Sequence, residues 1–241
     1  MTITTRFDST CGDTALVPVF AHRSSRRPRA AVLLLHGGRA DALRPPPVLN
    51  LPALRMRPFA TAILRATAHD DVFLGHVRYR HRGWNGAHAH PVADVRRALA
   101  ELYETAGPVP VVLVGHSMGA RAAFRAADDP RIKGVVALAP WCPPGDPAAH
   151  PGGRTLVALH DESDRVTRAV DTWSYLTRAQ KAGARVFGLS MPGGGHAMIR
   201  DARHWHHTAA ETATALLGFT PLPASLPGNG SWTGVPTPWR G

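Results

Sequence analysis

The chain has 241 residues, 44% of them hydrophobic and 19% charged, a size and composition that bury one substantial core. Its formal charge is +11, and Lys133 and Lys181 are the only lysines among 28 basic residues, so arginine carries the charge. No apolar run approaches the ~20 residues that span a bilayer, and Cys11 and Cys142 are too few for a disulfide framework, which excludes a helical membrane span and a disulfide-stapled scaffold.

Met1–Arg6 shows no apolar leader, so a cytoplasmic protein is expected. The arginines are spread through every segment apart from a short cluster at Arg23, Arg26, Arg27 and Arg29. No recognised nucleic-acid-binding motif accompanies them, and neither nucleic acid nor a membrane is expected as a partner.

Residues 1–29 read as weak strands or a hairpin, with "ALVPVF" the best candidate. From residue 30 short apolar runs alternate with helical patterns, which is how a parallel α/β sheet is written. The runs are "AAVLLLH" (30–36), "DVFLGHVRY" (71–79), "VPVVLVG" (109–115), "GVVALAP" (134–140), "RTLVALH" (154–160) and "ARVFGLS" (184–190). Their near-continuous Val and Leu content suits strands covered on both faces. Apolar spacings of three and four predict helices over about 50–68, 91–106, 118–127, 168–182 and 201–217, the last capped by Asp201. The expected fold is α/β, a mostly parallel, doubly wound sheet of about eight strands flanked by helices. Residues 1–219 form the expected catalytic domain, and the Pro- and Gly-rich stretch 220–241 reads as a loosely held tail.

Within "VPVVLVGHSMGARAAFRAA" (109–127) a strand turns straight into a helix at Ser117, with Gly115 and Gly119 two positions away on either side. Such a turn forces strained backbone angles on the serine, and a Cβ at either glycine would strike the crossing backbone. The hydroxyl is thereby exposed at the carboxyl end of the sheet. A serine nucleophile needs a base, and the base an orienting acid. Downstream, "LVALHDESDRV" offers Asp161, Glu162 and Asp164, and "GLSMPGGGHAM" offers His196 on a glycine loop. Upstream, His36-Gly37-Gly38 ends another strand, where the Gly38 amide and that of Met118 could form an oxyanion hole.

With these residues in this order the chain resembles the α/β-hydrolase superfamily over residues 30–217, in its compact, lidless esterase or dienelactone-hydrolase-like form. The resemblance implies the family pattern Gly-x-x-Asp-x-Val after the acid-bearing strand. Asp164 and Val166 match it while Asp161 stands at the glycine, so Asp164 is the implied acid and Asp161 the alternative. It also implies that His36 packs beneath the oxyanion loop. The segment "RYRHRGWNG" (78–86) is similar to the family's Asp-x-Arg-Gly-x-Gly turn but departs from it at Arg80 and Asn85.

Arg39, Trp84 and Trp141 are candidates to line the substrate pocket, each equally readable as packing, and the same holds for Asn85, Met118 and Cys142. His204 with His207, and His88 with His90, are pairs without a third ligand, so no metal and no cofactor are expected. The link "WCPPGDPAAHPGG" (141–153) shows no helical period, so no cap domain is expected. The expected function is a serine hydrolase that cleaves a small-molecule ester or thioester through an acyl-enzyme. The alternatives are an acyltransferase, amidase or lyase using the same triad, or a non-catalytic basic binding protein on the same fold.

Overall fold

Successive side chains of a strand point to opposite faces, and this period divides the buried strand residues between two cores. In the strand Ala30–Leu35, Ala31, Leu33 and Leu35 enter one cluster while Ala30, Val32 and Leu34 enter the other. A sheet apolar on both faces must be covered by helices on both.

The computed structural model describes residues 14–19, 27–226 and 232–239. Its strands are β1 (Leu16–Pro18), β2 (Ala30–Leu35), β3 (Val72–Val77), β4 (Val111–His116), β5 (Ile132–Leu138), β6 (Thr155–His160), β7 (Arg185–Ser190) and β8 (Thr237–Pro238). They form one sheet in the order β1-β3-β2-β4-β5-β6-β7-β8, parallel throughout except for the antiparallel β1–β3 pair. The helices are α1 (Leu51–Arg55), α2 (Arg57–Ala66), α3 (His90–Ala106), α4 (Met118–Ala126), α5 (Ala169–Lys181) and α6 (Ala202–Leu216). Val95, Phe124 and Leu176 bring α3, α4 and α5 onto one face, and Phe59 and Trp205 bring α2 and α6 onto the other. Each such side chain contributes roughly 1.5–3 kcal/mol on burial.

The expected α/β sheet is therefore present, with some local differences. The single helix expected over 50–68 breaks at Met56 into α1 and α2. Pro58 causes the break, since its ring removes the amide that would bond four residues back and crowds that carbonyl. Asp201 stands at the N-cap of α6, but its φ of +49° is left-handed and its carboxylate caps no amide. The strand in "ALVPVF" is β1, and it pairs with β3, with the amides of Ala15 and Leu16 at its start held by the Glu101 carboxylate at 2.8 Å each. The rest of the expected hairpin, with Cys11 and with Arg23 and Arg26 of the arginine cluster, lies outside the described residues.

The stretch read as a loosely held tail instead supplies β8 and buries Trp232 beside Gly188 and Trp173, where its Nε1 donates to Thr177 Oγ1 at 2.9 Å. Two tryptophans, which its Pro and Gly content obscured, anchor it; the second, Trp239, donates to Thr208 Oγ1 at 3.1 Å.

No helix forms between β5 and β6. That link is instead pinned down by Asp146, which accepts two 2.8 Å hydrogen bonds from Arg121 of α4, and among the described residues no helix of this link caps the carboxyl end of the sheet. Among the described residues no helix is long and apolar enough to cross a membrane.

Candidate active site

Ser117 sits where β4 turns into α4, with φ +54° and ψ −118°, a conformation that side chains other than glycine rarely adopt. A Cβ on Gly115 would lie 2.6 Å from Ala120 Cα, and one on Gly119 would lie 2.3 Å from the Leu35 carbonyl oxygen. Those two close approaches hold the helix against the strand ends and the serine in its strained pose. The cost is of order 1–3 kcal/mol, offset by the packing of β4 and α4.

Ser117 Oγ lies 3.1 Å from His196 Nε2, and His196 Nδ1 lies 2.8 Å from Asp164 Oδ2. An ionised carboxylate only accepts, so Nδ1 carries the proton and Nε2 presents a lone pair to the serine. Asp164 is buried. Burial alone would raise its pKa, but hydrogen bonds from His160, His196 and the Val166 amide outweigh this and hold the carboxyl well below the usual carboxylate range. Its other oxygen, Oδ1, accepts from the amides of Val166 (2.7 Å) and Thr167 (3.1 Å). The structure thus brings Ser117, His196 and Asp164 into one hydrogen-bonded chain.

Asp161 is placed differently. Its Oδ1 accepts from the Ser163 amide and hydroxyl, and its Oδ2 from the Gly195 amide at 2.7 Å. It fastens the loop that carries His196 and makes no contact with the imidazole. Two further side chains hold that loop. His116 Nε2 donates to the His196 carbonyl at 2.9 Å, and Arg55 from α1 donates to the carbonyls of Ala197 and Met198. Burial, then the neighbouring His196, pushes the His116 pKa down to about 3, so this imidazole stays neutral.

Sequence reasoning missed Thr167 and His160. The Thr167 hydroxyl donates to Asp164 Oδ2 at 2.9 Å. His160, fully buried, directs Nε2 to Asp164 Oδ2 at 3.2 Å and accepts at Nδ1 from Thr172 Oγ1 at 2.8 Å. The only sequence signal was proximity, since both flank the acid within four residues.

Gly37 abuts the serine, its would-be Cβ 3.4 Å from Ser117 Cβ, and Gly38 packs against the Met118 side chain. The amides of Gly38 and Met118 have no hydrogen-bond partner among the described residues. His36 lies buried behind this turn, Nδ1 donating to the Gly37 carbonyl at 2.7 Å, with its pKa lowered to about 4 by burial.

Of the proposed pocket residues, Arg39 is exposed and forms a bridge with Gly83. Trp84 is buried, and its ring packs on the Arg121 guanidinium, 3.8 Å from centroid to Cζ. Trp141 is half-buried 4.5 Å from the same guanidinium, so only Trp141 of the two borders solvent. Cys142 is buried and its thiol pushed up to about 12, which leaves no thiolate to compete with the serine. Cavities of about 450 and 890 Å³ lie elsewhere, and neither is lined by Ser117 or His196.

Among the described residues no group of three His, Cys, Asp or Glu side chains converges on one point. His204 packs on Trp239, His207 pairs with Glu211 at 3.1 Å, and His88 stacks on His90.

The sequence model of the family described as "Serine aminopeptidase, S33" (Hydrolase_4) matches residues 26–180. The chain belongs to this family of α/β-hydrolases. Its fold is that of lidless members: the α/β serine hydrolase XC6422 from Xanthomonas campestris, described as having no lid, superposes with a TM-score of 0.57 at 15% identity, over 86% of this chain and 89% of that one. Est1E from Butyrivibrio proteoclasticus with bound ferulic acid gives 0.57 at 10% identity, over 84% and 96%. The carboxylesterase EstE1 from a metagenomic library gives 0.61 at 16% identity, over 79% and 81%. No curated protein matches the chain. Like its family, this α/β-hydrolase is an enzyme of the hydrolase class. The family match ends before His196, so the His196 loop is placed by the fold and the hydrogen bonds described above.

Proposed function

We propose that the enzyme cleaves a carboxylic ester or thioester of a small molecule through an acyl-enzyme on Ser117. One observation carries the reading: a strained serine at the carboxyl end of β4, hydrogen-bonded to His196, itself hydrogen-bonded to the ionised Asp164. Ser117 Oγ attacks the carbonyl carbon as its proton passes to His196 Nε2. The tetrahedral oxyanion is held by the amides of Gly38 and Met118, a contribution of about 3–4 kcal/mol for one such donor. The carbon–oxygen or carbon–sulfur bond then breaks, and the leaving group takes the proton from His196. Water then attacks the acyl carbon as its proton passes to His196, the bond from the acyl carbon to Ser117 Oγ breaks, and His196 returns the proton to Oγ, which releases the acid and the free serine. Asp164 keeps its charge throughout and stabilises the transient imidazolium.

No cofactor or metal enters the scheme. The test is steady-state hydrolysis of short-chain nitrophenyl esters and acyl thioesters. Ser117→Ala should lower kcat by about 10⁴-fold or more while leaving thermal unfolding nearly unchanged; full activity in that variant would sink the mechanism. A second reading, amide hydrolysis, is favoured by the description of the matching family as serine aminopeptidase. Turnover of amino-acid nitroanilides exceeding that of the esters would select it.

A further inference from the structure

An exposed aliphatic side chain is ordinary when isolated, but a contiguous set needs a partner. Among the described residues eight large hydrophobic side chains stand exposed, and six of them lie on three segments that follow strands at the carboxyl edge of the sheet, the edge that carries Ser117. Leu43, Val48 and Leu49 follow β2, Leu51 opens α1, Val166 follows β6, and Ile199 follows β7. Their exposure runs from 66% for Leu43 to 108% for Val48.

Parallel topology puts the ends of β2, β6 and β7 on the same edge of the sheet. Hydrogen bonds tie the segments to the reacting groups and to one another. The Val166 amide donates to Asp164, Ile199 shares a loop with His196, and Arg55 binds the carbonyls of Ala197 and Met198, drawing α1 against that loop. Among the described residues no cap helix shields this edge, and Val48 stands at the mouth of the cavity of about 450 Å³, which Ser117 does not line. The exposed aliphatic groups therefore form a raised border along this edge of the sheet.

The same segments carry exposed Arg39, Arg44, Arg165, Arg168 and Arg200 against exposed Asp41, Glu162 and Asp201, while Asp161 and Asp164 are buried and engaged. Protruding aliphatic groups interleaved with a net excess of arginine are the chemistry that inserts into the headgroup region of an anionic lipid surface. A second copy of this face would bring like charge against like charge. We infer that this border docks the enzyme onto an anionic lipid surface, with the carboxyl edge of the sheet turned towards the lipid. This departs from the expectation, drawn from composition, that no membrane is a partner. It goes beyond the acyl-transfer reading and does not depend on it.

The experiment is sedimentation of the whole chain with vesicles of phosphatidylcholine, with and without phosphatidylglycerol, at low and high salt. The chain should pellet with the anionic vesicles and less with the neutral ones. Ser117→Ala should bind as the unaltered chain does, which separates this result from the fate of the acyl-transfer reading. The double variant Leu49→Asp with Ile199→Asp should lower the bound fraction at least about tenfold, because each change withdraws several methylenes from the lipid. Val235→Asp, equally exposed but outside the three segments, should have little effect. Circular dichroism and thermal unfolding identify any variant that fails to fold, in which case the single changes Leu49→Ser and Ile199→Ser repeat the comparison. Absence of binding to anionic vesicles would overturn the inference. So would binding that the border variants leave intact, which would assign it to the arginines in general, or a dimer that they dissociate, which would assign the border to a second copy.

Discussion

The turn that carries Ser117 and the loop that carries His196 are held in place by opposite means. The turn is fixed by its own backbone: Gly115 and Gly119 allow β4 and α4 to approach so closely that Ser117 has one available pose. The loop has no such internal constraint. Gly193, Gly194, Gly195 and Met198 all have positive φ, and the loop's position depends on Asp161, His116 and Arg55, which lie 34, 80 and about 142 residues away in sequence. A nucleophile can be built from five consecutive residues, whereas its base must be placed by the tertiary structure.

The comparison breaks most visibly at the two aspartates. Asp164→Asn removes the charge that fixes the His196 tautomer and should lower kcat by about 10⁴-fold, the loss found for the equivalent change in a well-studied triad. Asp161→Asn keeps an acceptor near the Gly195 amide and should cost roughly tenfold, within the range for a displaced positioning loop. Kinetics on one ester substrate decide the order, and a dead Asp161 variant would reverse the assignment.

The next effect tests the turn. Gly119→Ala forces a Cβ into the β2 backbone, where no side chain can move aside, and should cost at least ~3 kcal/mol. For a chain of this size that lowers Tm by roughly 6–12 °C, measurable by calorimetry. Arg55→Ala sharpens the other half of the comparison. It frees two loop carbonyls without touching the serine, so kcat should fall about tenfold with KM little changed. A loss confined to KM would place Arg55 in substrate binding instead.

The smallest effect is a pH dependence of stability. Burial holds His36 and His206 near pKa 4 and His116 near 3, all below the unfolded value of about 6.5. As pH falls below 6.5 the unfolded chain takes up protons that the folded chain refuses, so stability declines from pH 6.5 towards 4. Asp164 acts in a lower window. Its depressed pKa supplies stability that is present above its unfolded value near 3.9 and lost only as pH falls through its folded value. His116→Gln should flatten the slope between pH 6.5 and 4, as read from Tm against pH. An unchanged slope would mean that His116 is charged in the folded enzyme.

How much was legible in the sequence follows from the same contrast. The strands and helices that face both cores were readable because two-residue and 3.6-residue periods are local. The position of the serine was readable because two glycines specify the turn. Trp84 was placed at the pocket because it follows a strand end, yet it turns under Arg121, a contact between segments 37 residues apart. The stretch after Thr220 looked loose because Pro and Gly dominate it, while Trp232 and Trp239 find partners on α5 and α6 that no local pattern announces. Thr167 and His160 escaped notice because their partner, the Asp164 carboxylate, becomes a shared acceptor only once the β6 loop has folded.

The central claim is that Ser117 is the nucleophile and that His196 and Asp164 activate it. The most direct measurement is reaction with a fluorophosphonate, followed by peptide mass spectrometry to locate the adduct and by the rate of labelling in each variant. The account predicts a single adduct on Ser117, none in Ser117→Ala, and labelling slowed by several orders of magnitude in His196→Ala and Asp164→Asn. An adduct on another residue, or undiminished labelling when His196 is removed, would contradict it.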